Sequence, residues 1–334
     1  MSYLSAGPYR AGLRSAFFQT GPVRLHFVSH DSAQTPLVLF PGQSVSWESY
    51  HRVLPELARH FQVFAVDIHG HGQTSWCPDR YTFNAIGADL AVFLRERVGR
   101  PAILTGNSSG GLIALWLAAH VPELVKGVIP EDPPLFSAEW PRLRDACFVY
   151  SVFERCQRYL KNTQARDLAG FFAGLEVPVQ GRLTPLKLPP MLRRGLTAYL
   201  RALQAQHPQG PVELPAFFPS SLRVFVKGIS EYDPAFSLAF LEGTACQDFD
   251  HAATLSQIQC PVLLLHADWF VHPRLGLVGS MTDQDVVLTR KALKVPFFYQ
   301  QMETQHMSHL TRPASFIRAV LRFSRQIEIL TRPA

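Results

Sequence analysis

The sequence predicts an α/β fold: a mostly parallel sheet with helices on both faces, and a helical cap inserted between two of its strands. Two observations support this prediction. Short apolar strands alternate with helical segments from about residue 37 to residue 129, which is typical of parallel sheets. At Pro130 the alternation stops, and it returns only near Pro261. The 334 residues, 47% of them hydrophobic, are enough to bury a large core and to hold an insertion.

The strands are predicted in chain order. Residues 14–29 predict a hairpin with a turn at Gly21-Pro22. The later strands are short apolar runs, at residues 37–40, 62–67, 102–105, 125–129, 261–266 and 297–302. Helices are predicted among them at residues 47–60 and 111–120.

Helical segments fill the middle of the chain. Apolar helical stretches at residues 146–160, 167–175 and 191–205 are separated by proline-rich joints at 185–190 and 208–219. We therefore predict three parts. The first part of the core spans residues 1–132, the cap spans 133–251, and the second part of the core spans 252–334.

Residues 106–110 form the most informative motif, G-x-S-x-G, between a predicted strand and a predicted helix. Such a tight turn forces strained dihedral angles on Ser108, and the small flanking residues let strand and helix pass closely. The Ser108 hydroxyl would then lie at the amino end of a helix, whose dipole favours negative charge. A chance match in a Ser/Gly-rich loop is the competing interpretation. Ser109 is the weaker candidate for the nucleophile, because centring the motif there puts Asn107 at position −2.

Two loops add to this motif. Pro41-Gly42-Gln43 follows one predicted strand, and the glycine-rich loop 67–75 follows the next. Together the three segments resemble the α/β-hydrolase superfamily, in which an H-G-x loop commonly follows strand 3. Pro41 stands here in place of the histidine. The resemblance covers about residues 23–132 and 258–325 and implies an eight-stranded sheet.

The resemblance implies a Ser-His-acid triad, because a serine hydroxyl is a weak nucleophile until an oriented base takes its proton. The segment from Gln305 to Pro313 resembles the superfamily's H-x-x-H-x-x-x-P segment. Its first histidine, His306, is the predicted base. His309 is expected to pack beneath the loop or to cap the helix that starts near Pro313.

Three carboxylates compete for the role of acid. A minority of the superfamily, including haloalkane dehalogenases and fungal zearalenone lactonases, places the acid at the end of the strand after the nucleophile helix. Glu131 matches that position and is our prediction, since Asp132 would point to the other side of an extended strand. Asp268 follows a later strand, but Trp269 or Phe270 stands where most relatives have the acid. We expect Asp268 to cap a turn through backbone N–H groups.

The predicted oxyanion hole consists of two backbone N–H groups. One belongs to Ser109, directly after the nucleophile, and the other to Gln43. Trp140, Trp269 and Phe270 are candidates for a substrate pocket, although any one of them equally fits the core of the cap.

We therefore predict a serine hydrolase without a cofactor that cleaves a carboxylic ester or lactone of a fairly apolar small molecule. A C–C bond or amide hydrolase with the same triad, and a slow-turnover ligand receptor of the same fold, remain alternatives. No metal site is expected, because no H-E-x-x-H motif or comparable ligand spacing occurs.

Composition bears on partners and compartment. The net charge is +6, and Arg318, Arg322 and Arg325 are interpreted as the solvated face of the last helix. We expect neither nucleic acid nor a membrane as a partner, and leave a homodimer open. The five scattered cysteines and the absence of an apolar signal core near Met1 predict a reducing, cytoplasmic setting.

Overall fold

A computed structural model describes residues 12–163, 166–206 and 210–331. The strands of these residues, numbered in chain order, are Arg14–Gln19 (β1), Arg24–Ser29 (β2), Pro36–Phe40 (β3), Gln62–Val66 (β4), Ala102–Asn107 (β5), Val125–Glu131 (β6), Val262–His266 (β7), Phe270–His272 (β8), Gly276–Val278 (β9) and Phe297–Gln301 (β10). Eight of them form one sheet in the order β1-β2-β4-β3-β5-β6-β7-β10, while β8 and β9 pair separately. The predicted fold class is confirmed.

The strands from β3 onward in the large sheet are parallel, and only β1 and β2 pair antiparallel to their neighbours. Every residue of β3, β5 and β7 is buried. Helices cover both faces of a parallel sheet, so its strands are apolar without alternation, as these three are. Two hydrophobic clusters result, one on each face of the sheet.

The α-helices of the described residues surround the sheet and fill the segment between β6 and β7; they are Leu54–Leu57, Phe83–Phe93, Ser109–His120, Arg142–Ala146, Phe148–Leu160, Leu168–Ala173, Pro190–Gln206, Ser220–Glu231, Pro234–Leu241, His251–Gln257, Asp283–Ala292, Ser308–Thr311 and Pro313–Leu330. Short 3₁₀ segments lie at Trp47–Arg52, Pro78–Arg80, Pro122–Leu124 and Thr244–Cys246, and a π-helical turn lies at Leu94–Val98. Within the described ranges, no helix combines the length and the apolar character needed to span a bilayer.

In the described part of the segment between β6 and β7, every named element is a helix. The stretches predicted at residues 146–160, 167–175 and 191–205 fall on three of its helices, Phe148–Leu160, Leu168–Ala173 and Pro190–Gln206. The division of the chain at residues 132 and 251 remains a prediction. The helix predicted at residues 47–60 is instead two short pieces, because Pro55 lies in the first turn of the second.

Candidate active site

Ser108 lies in a sharp turn between β5 and the helix Ser109–His120. Its φ of 54° and ψ of −124° place it in a strained region of backbone space. The turn requires glycine on both sides. A Cβ on Gly106 would lie 2.1 Å from the carbonyl oxygen of Gly110, and one on Gly110 would lie 2.2 Å from that of Phe40. The predicted elbow geometry is therefore present, with Ser108 half-buried at the carboxyl edge of the sheet.

The loop after β3 runs directly beside the elbow. A Cβ on Gly42 would lie 3.1 Å from Ser108 Cβ, so glycine is needed for this approach. The N–H groups of Gln43 and Ser109 donate no hydrogen bond to any described residue. Unpaired N–H groups beside a nucleophile are what an oxyanion hole requires, and both belong to the residues predicted for it.

A buried histidine holds the shape of this loop. Ser44 has a φ of 65°, and its N–H donates to His71 Nε2 at 3.0 Å. His71 Nδ1 in turn bonds the carbonyl oxygen of His69 at 2.8 Å. Burial lowers the pKa of His71 to about 4, so the ring is neutral and Nε2 stays an acceptor. The glycine-rich loop, residues 67–75, thus supports the loop after β3, residues 41–44.

His306 contacts Asp132 rather than Glu131, which corrects our prediction. The distance from His306 Nδ1 to Asp132 Oδ2 is 2.6 Å. Asp132 follows β6 with a φ of 42°, so the chain is not extended there and the alternation assumed from the sequence does not apply. Asp132 Oδ1 also accepts the N–H of Ala267 at 3.3 Å. The carboxylate does come from the predicted end of β6, but it is Asp132, the second residue of the pair, that contacts His306.

The environment of His306 favours its protonated form. Burial lowers the pKa of His306, but the hydrogen bond and the charge of Asp132, together with the charge of Glu131, outweigh burial and raise the pKa. The side chain remains 39% exposed, and Nε2 makes no hydrogen bond to the described residues. Ser108 Oγ likewise has no such bond to His306 in the described structure. Catalytic hydrogen bonds are often long in ligand-free sites.

Glu131 serves the second histidine. Its carboxylate accepts from His309 Nδ1 at 2.7 Å, from the His309 N–H at 2.9 Å and from Ser308 Oγ. Burial alone would raise the pKa of Glu131, but the charge of His309 and these hydrogen bonds lower it below its ordinary value. His309 is buried against the Tyr50 ring, so it packs beneath the loop, one of the two positions expected.

This strand order, elbow and histidine loop match a known family. A family model for the alpha/beta hydrolase fold matches residues 35–277. The chain is an α/β hydrolase. The narrower resemblance to zearalenone lactonases is not confirmed by this match or by the relatives below.

Curated relatives of this α/β hydrolase differ in their named activities. Pheophytinase of Arabidopsis thaliana is 33% identical over 32% of this chain and 29% of its own length. Bifunctional epoxide hydrolase 2 of Sus scrofa is 28% identical over 48% and 35% of the two chains. Pimeloyl-[acyl-carrier protein] methyl ester esterase of Yersinia pseudotuberculosis is 30% identical over 36% and 46%. The matches therefore span less than half the length of these relatives.

A solved hydrolase from Pseudomonas aeruginosa shares the fold over almost the whole chain. It superposes with a TM-score of 0.63 at 21% identity and covers 93% of this chain and 98% of its own. A match at 21% identity shows a shared architecture and nothing more.

The remaining predicted residues of this α/β hydrolase have hydrogen-bond partners other than Ser108 and His306. Asp268 is exposed and accepts from the Gln301 side chain at 3.3 Å, so the expected turn cap through backbone N–H groups is not formed. Trp269 Nε1 donates to Asp283 at 2.9 Å. Trp140 packs on Gly243 in the inserted segment and donates to the Phe240 carbonyl at 3.2 Å.

The pocket assignment is therefore not supported by a contact. Phe270 begins β8 and is half-buried. None of Trp140, Trp269 and Phe270 makes a described hydrogen bond or ring contact to Ser108 or His306. Within the described ranges, no group of three or more His, Cys, Asp or Glu side chains is arranged to hold a metal ion.

Two residues of the site were missed by sequence reasoning. Ser280 Oγ lies 3.1 Å from His306 Nδ1, beside the Asp132 contact. Asn107 Nδ2 donates to the His306 carbonyl oxygen at 2.8 Å and so ties the histidine loop to the elbow. The position of Asn107 directly before Ser108 was a usable signal. Ser280 follows a glycine in an irregular loop, and nothing in the sequence marks it.

Proposed function

We propose that this α/β hydrolase cleaves a carboxylic ester, lactones included, of a fairly apolar small molecule through Ser108, His306 and Asp132. The observation that carries the proposal is the Asp132–His306 contact of 2.6 Å at the strand ends that flank the strained Ser108 elbow. Nucleophile and acid follow the neighbouring strands β5 and β6, and the base follows β10. The named methyl ester esterase among the relatives supports ester chemistry.

The first half of the reaction forms an acyl-enzyme. Ser108 Oγ attacks the carbonyl carbon while His306 Nε2 takes the hydroxyl proton. Asp132 holds Nδ1–H, which fixes the tautomer and stabilises the imidazolium. The N–H groups of Gln43 and Ser109 stabilise the oxyanion, and each such donor typically contributes about 3–4 kcal/mol to transition-state binding. The alcohol then leaves with the proton from His306.

The second half returns the enzyme to its first state. Water attacks the acyl carbon and gives its proton to His306, and the acid leaves as Ser108 regains its proton. Each step uses only protein groups and water. The same residues serve an amide or a C–C bond, so the choice of an ester rests on the named esterase among the relatives.

Ser108 is tested by labelling and turnover. A fluorophosphonate should label the wild type at Ser108, and Ser108→Ala should lose the label and at least about 10⁴-fold of its turnover of short acyl esters. Ser109→Ala is the matched control, because it keeps the backbone N–H and should keep both label and turnover.

Four outcomes would contradict the proposal. Labelling of Ser108→Ala, or an inactive Ser109→Ala, moves the nucleophile to another residue. A wild type that gives a single slow burst on every ester, without steady-state turnover, indicates a ligand receptor instead. Turnover of amides or C–C bonds but not of esters changes the reaction class.

A further inference from the structure

An exposed arm projects from the inserted segment. The arm comprises residues 177–194, and every residue from Gln180 to Gly195 is exposed except Pro185. Two mutual backbone hydrogen bonds of 2.8 Å between Val177 and Leu186 hold its base. The helix Pro190–Gln206 begins within it. The arm is thus an ordered projection that displays its side chains to the outside.

The arm displays large apolar side chains. Six of the 17 exposed large hydrophobic residues in the described ranges belong to these 18 residues, namely Val177, Leu183, Leu186, Leu188, Met191 and Leu192. Met191 is 84% exposed and Leu183 is 69% exposed. Single exposed apolar residues are ordinary on a protein surface, but a group in one segment indicates an interaction site.

The same segment is strongly basic. Residues 177–206 contain the five cations Arg182, Lys187, Arg193, Arg194 and Arg201, with neither aspartate nor glutamate. Glu176, directly before the arm, pairs with Lys187 at 2.7 Å. Four arginines remain. Three of them, Arg193, Arg194 and Arg201, line one cavity of about 220 Å³ together with Ala173, Thr197 and Ala198. Guanidinium groups around one cavity suit a phosphate, which they bind with paired hydrogen bonds.

We propose that the arm docks the protein on an anionic lipid surface. Leu183, Met191 and Leu192 enter the boundary between headgroups and acyl chains, and Arg193 and Arg194 contact lipid phosphates. Cations beside exposed aliphatic side chains are the composition of interfacial segments. A protein partner fits less well, because a segment with cations and no acidic residue from 177 to 206 is complementary to a surface of one sign of charge, such as anionic lipid.

This inference is independent of the proposed reaction, since it rests on the arm alone. It departs from the expectation that no membrane is a partner. That expectation weighed the arginines of the last helix, where Arg318 is held by Ser315, and not the arm.

Vesicle sedimentation tests the proposal with the full chain. The wild type should sediment with vesicles of phosphatidylcholine and phosphatidylglycerol in equal parts, and not with phosphatidylcholine alone. The double variant Arg193→Gln, Arg194→Gln should weaken partitioning about 30-fold. Each cation near an anionic surface contributes about 1 kcal/mol of binding free energy, and the loss of two converts to that factor. The double variant Met191→Ser, Leu192→Ser should weaken partitioning at least about tenfold, because each substitution removes apolar groups that would be buried in the lipid.

Matched controls lie at the other basic and apolar surface, on the last helix. Arg322 and Arg325 are exposed there, and so are Ile329 and Leu330. The corresponding glutamine and serine pairs should sediment like the wild type. Circular dichroism melting verifies that each variant is folded.

Each contrary result overturns the proposal. A wild type that stays in the supernatant with anionic vesicles excludes docking. Arm variants that sediment like the wild type place the binding elsewhere, and binding that needs Arg193 and Arg194 but not Met191 and Leu192 excludes insertion. A dimer in light scattering without lipid, lost in the arm variants, assigns the arm to a second copy.

Discussion

Glu131 and Asp132 are neighbours in sequence, yet each contacts a different histidine. Asp132 holds the proposed base His306, while Glu131 holds His309 and the Ser308 hydroxyl within the protein. The contact of Asp132 orients the half-exposed ring of His306. The contact of Glu131 with His309 fixes the position of the loop that carries His306. The two carboxylates are therefore separable by mutation.

Asp132→Asn should lower turnover of short esters by about 10⁴-fold, the cost of an equivalent change in a well-studied triad. Glu131→Gln should cost mainly stability, about 1–3 kcal/mol for buried hydrogen bonds left incomplete. Asp268→Asn is the control and should behave like the wild type, because Asp268 is exposed. The measurements are kcat/KM and urea unfolding of all three variants. Near-normal turnover in Asp132→Asn, beside an inactive Glu131→Gln, would restore Glu131 as the acid.

The pH profile of turnover should follow the ionisation of His306. Only the neutral ring accepts a proton, so kcat/KM rises as pH rises through the pKa of His306. Asp132 raises that pKa, so the acid limb should lie above about 6.5, the ordinary histidine value. In Asp132→Asn only the charge of Glu131 still opposes the effect of burial, so the pKa of His306 should fall and the residual turnover should shift its acid limb to lower pH. A limb at the same pH in both proteins would show that another group controls it.

At the scale of elements, the helix Ser220–Glu231 packs on the loop after β3, which carries Gln43 and Ser44. A Cβ on Gly228 would lie 2.2 Å from the Ser44 carbonyl oxygen, so the backbones touch. Beside this contact Lys227 Nζ lies 2.6 Å from Glu48 Oε1 and 3.0 Å from Glu213 Oε1. Burial lowers the pKa of Lys227, but the charge of Glu48 and its neighbours outweighs burial and raises it. The ion pair thus joins the inserted segment to the core.

Lys227→Met should lower the free energy of unfolding by about 3–5 kcal/mol, because Glu48 is left as an unpaired buried charge. Adding Glu48→Gln should recover part of that loss, and the double-mutant cycle measures the coupling. Arg59→Ala, at the exposed pair with Glu56, is the control and should cost about 0–1 kcal/mol. Equal losses at the two sites in urea unfolding would mean that the Lys227 pair is solvated like a surface pair.

At the scale of the molecule, the parallel sheet brings the residues of the site together at one edge. Gln43, Ser108 and Asp132 follow the adjacent strands β3, β5 and β6, whose carboxyl ends lie at one edge. The core strands beneath them are buried on both faces, whereas the arm in the inserted segment is exposed. Local stability is therefore expected to be uneven across the chain.

Limited trypsin digestion should detect this unevenness. Among sites in the described ranges, the first cleavages should fall in the arm, after Arg182, Lys187, Arg193 or Arg194, because exposed loop segments are the preferred sites of nicking. Mass spectrometry of early time points locates them. First cleavage after Lys126 in β6 or after Arg52 would mean that the sheet region opens more readily than the arm.

Much of the fold and part of the site are local properties of the sequence. Apolar strands alternating with helices are sufficient to predict a parallel sheet, and a glycine on each side of Ser108 is sufficient to predict the elbow. The loop with Gln43 and the segment with His306 were found by the same means, because each lies in a short motif next to a strand. These features depend on neighbours within a few residues.

The contacts among those features were decided by the tertiary structure. Asp132, not Glu131, reaches His306 because the backbone turns at φ 42° after β6 and the loop after β10 returns over that edge. Ser280 and Asn107 contact the same histidine from separate parts of the chain. The sequence by itself determined the fold class and the tight turn at Ser108, which depend on local pattern. Only the tertiary structure decided which carboxylate contacts His306 and which segment is exposed, because side-chain direction and exposure depend on chain segments far apart in sequence.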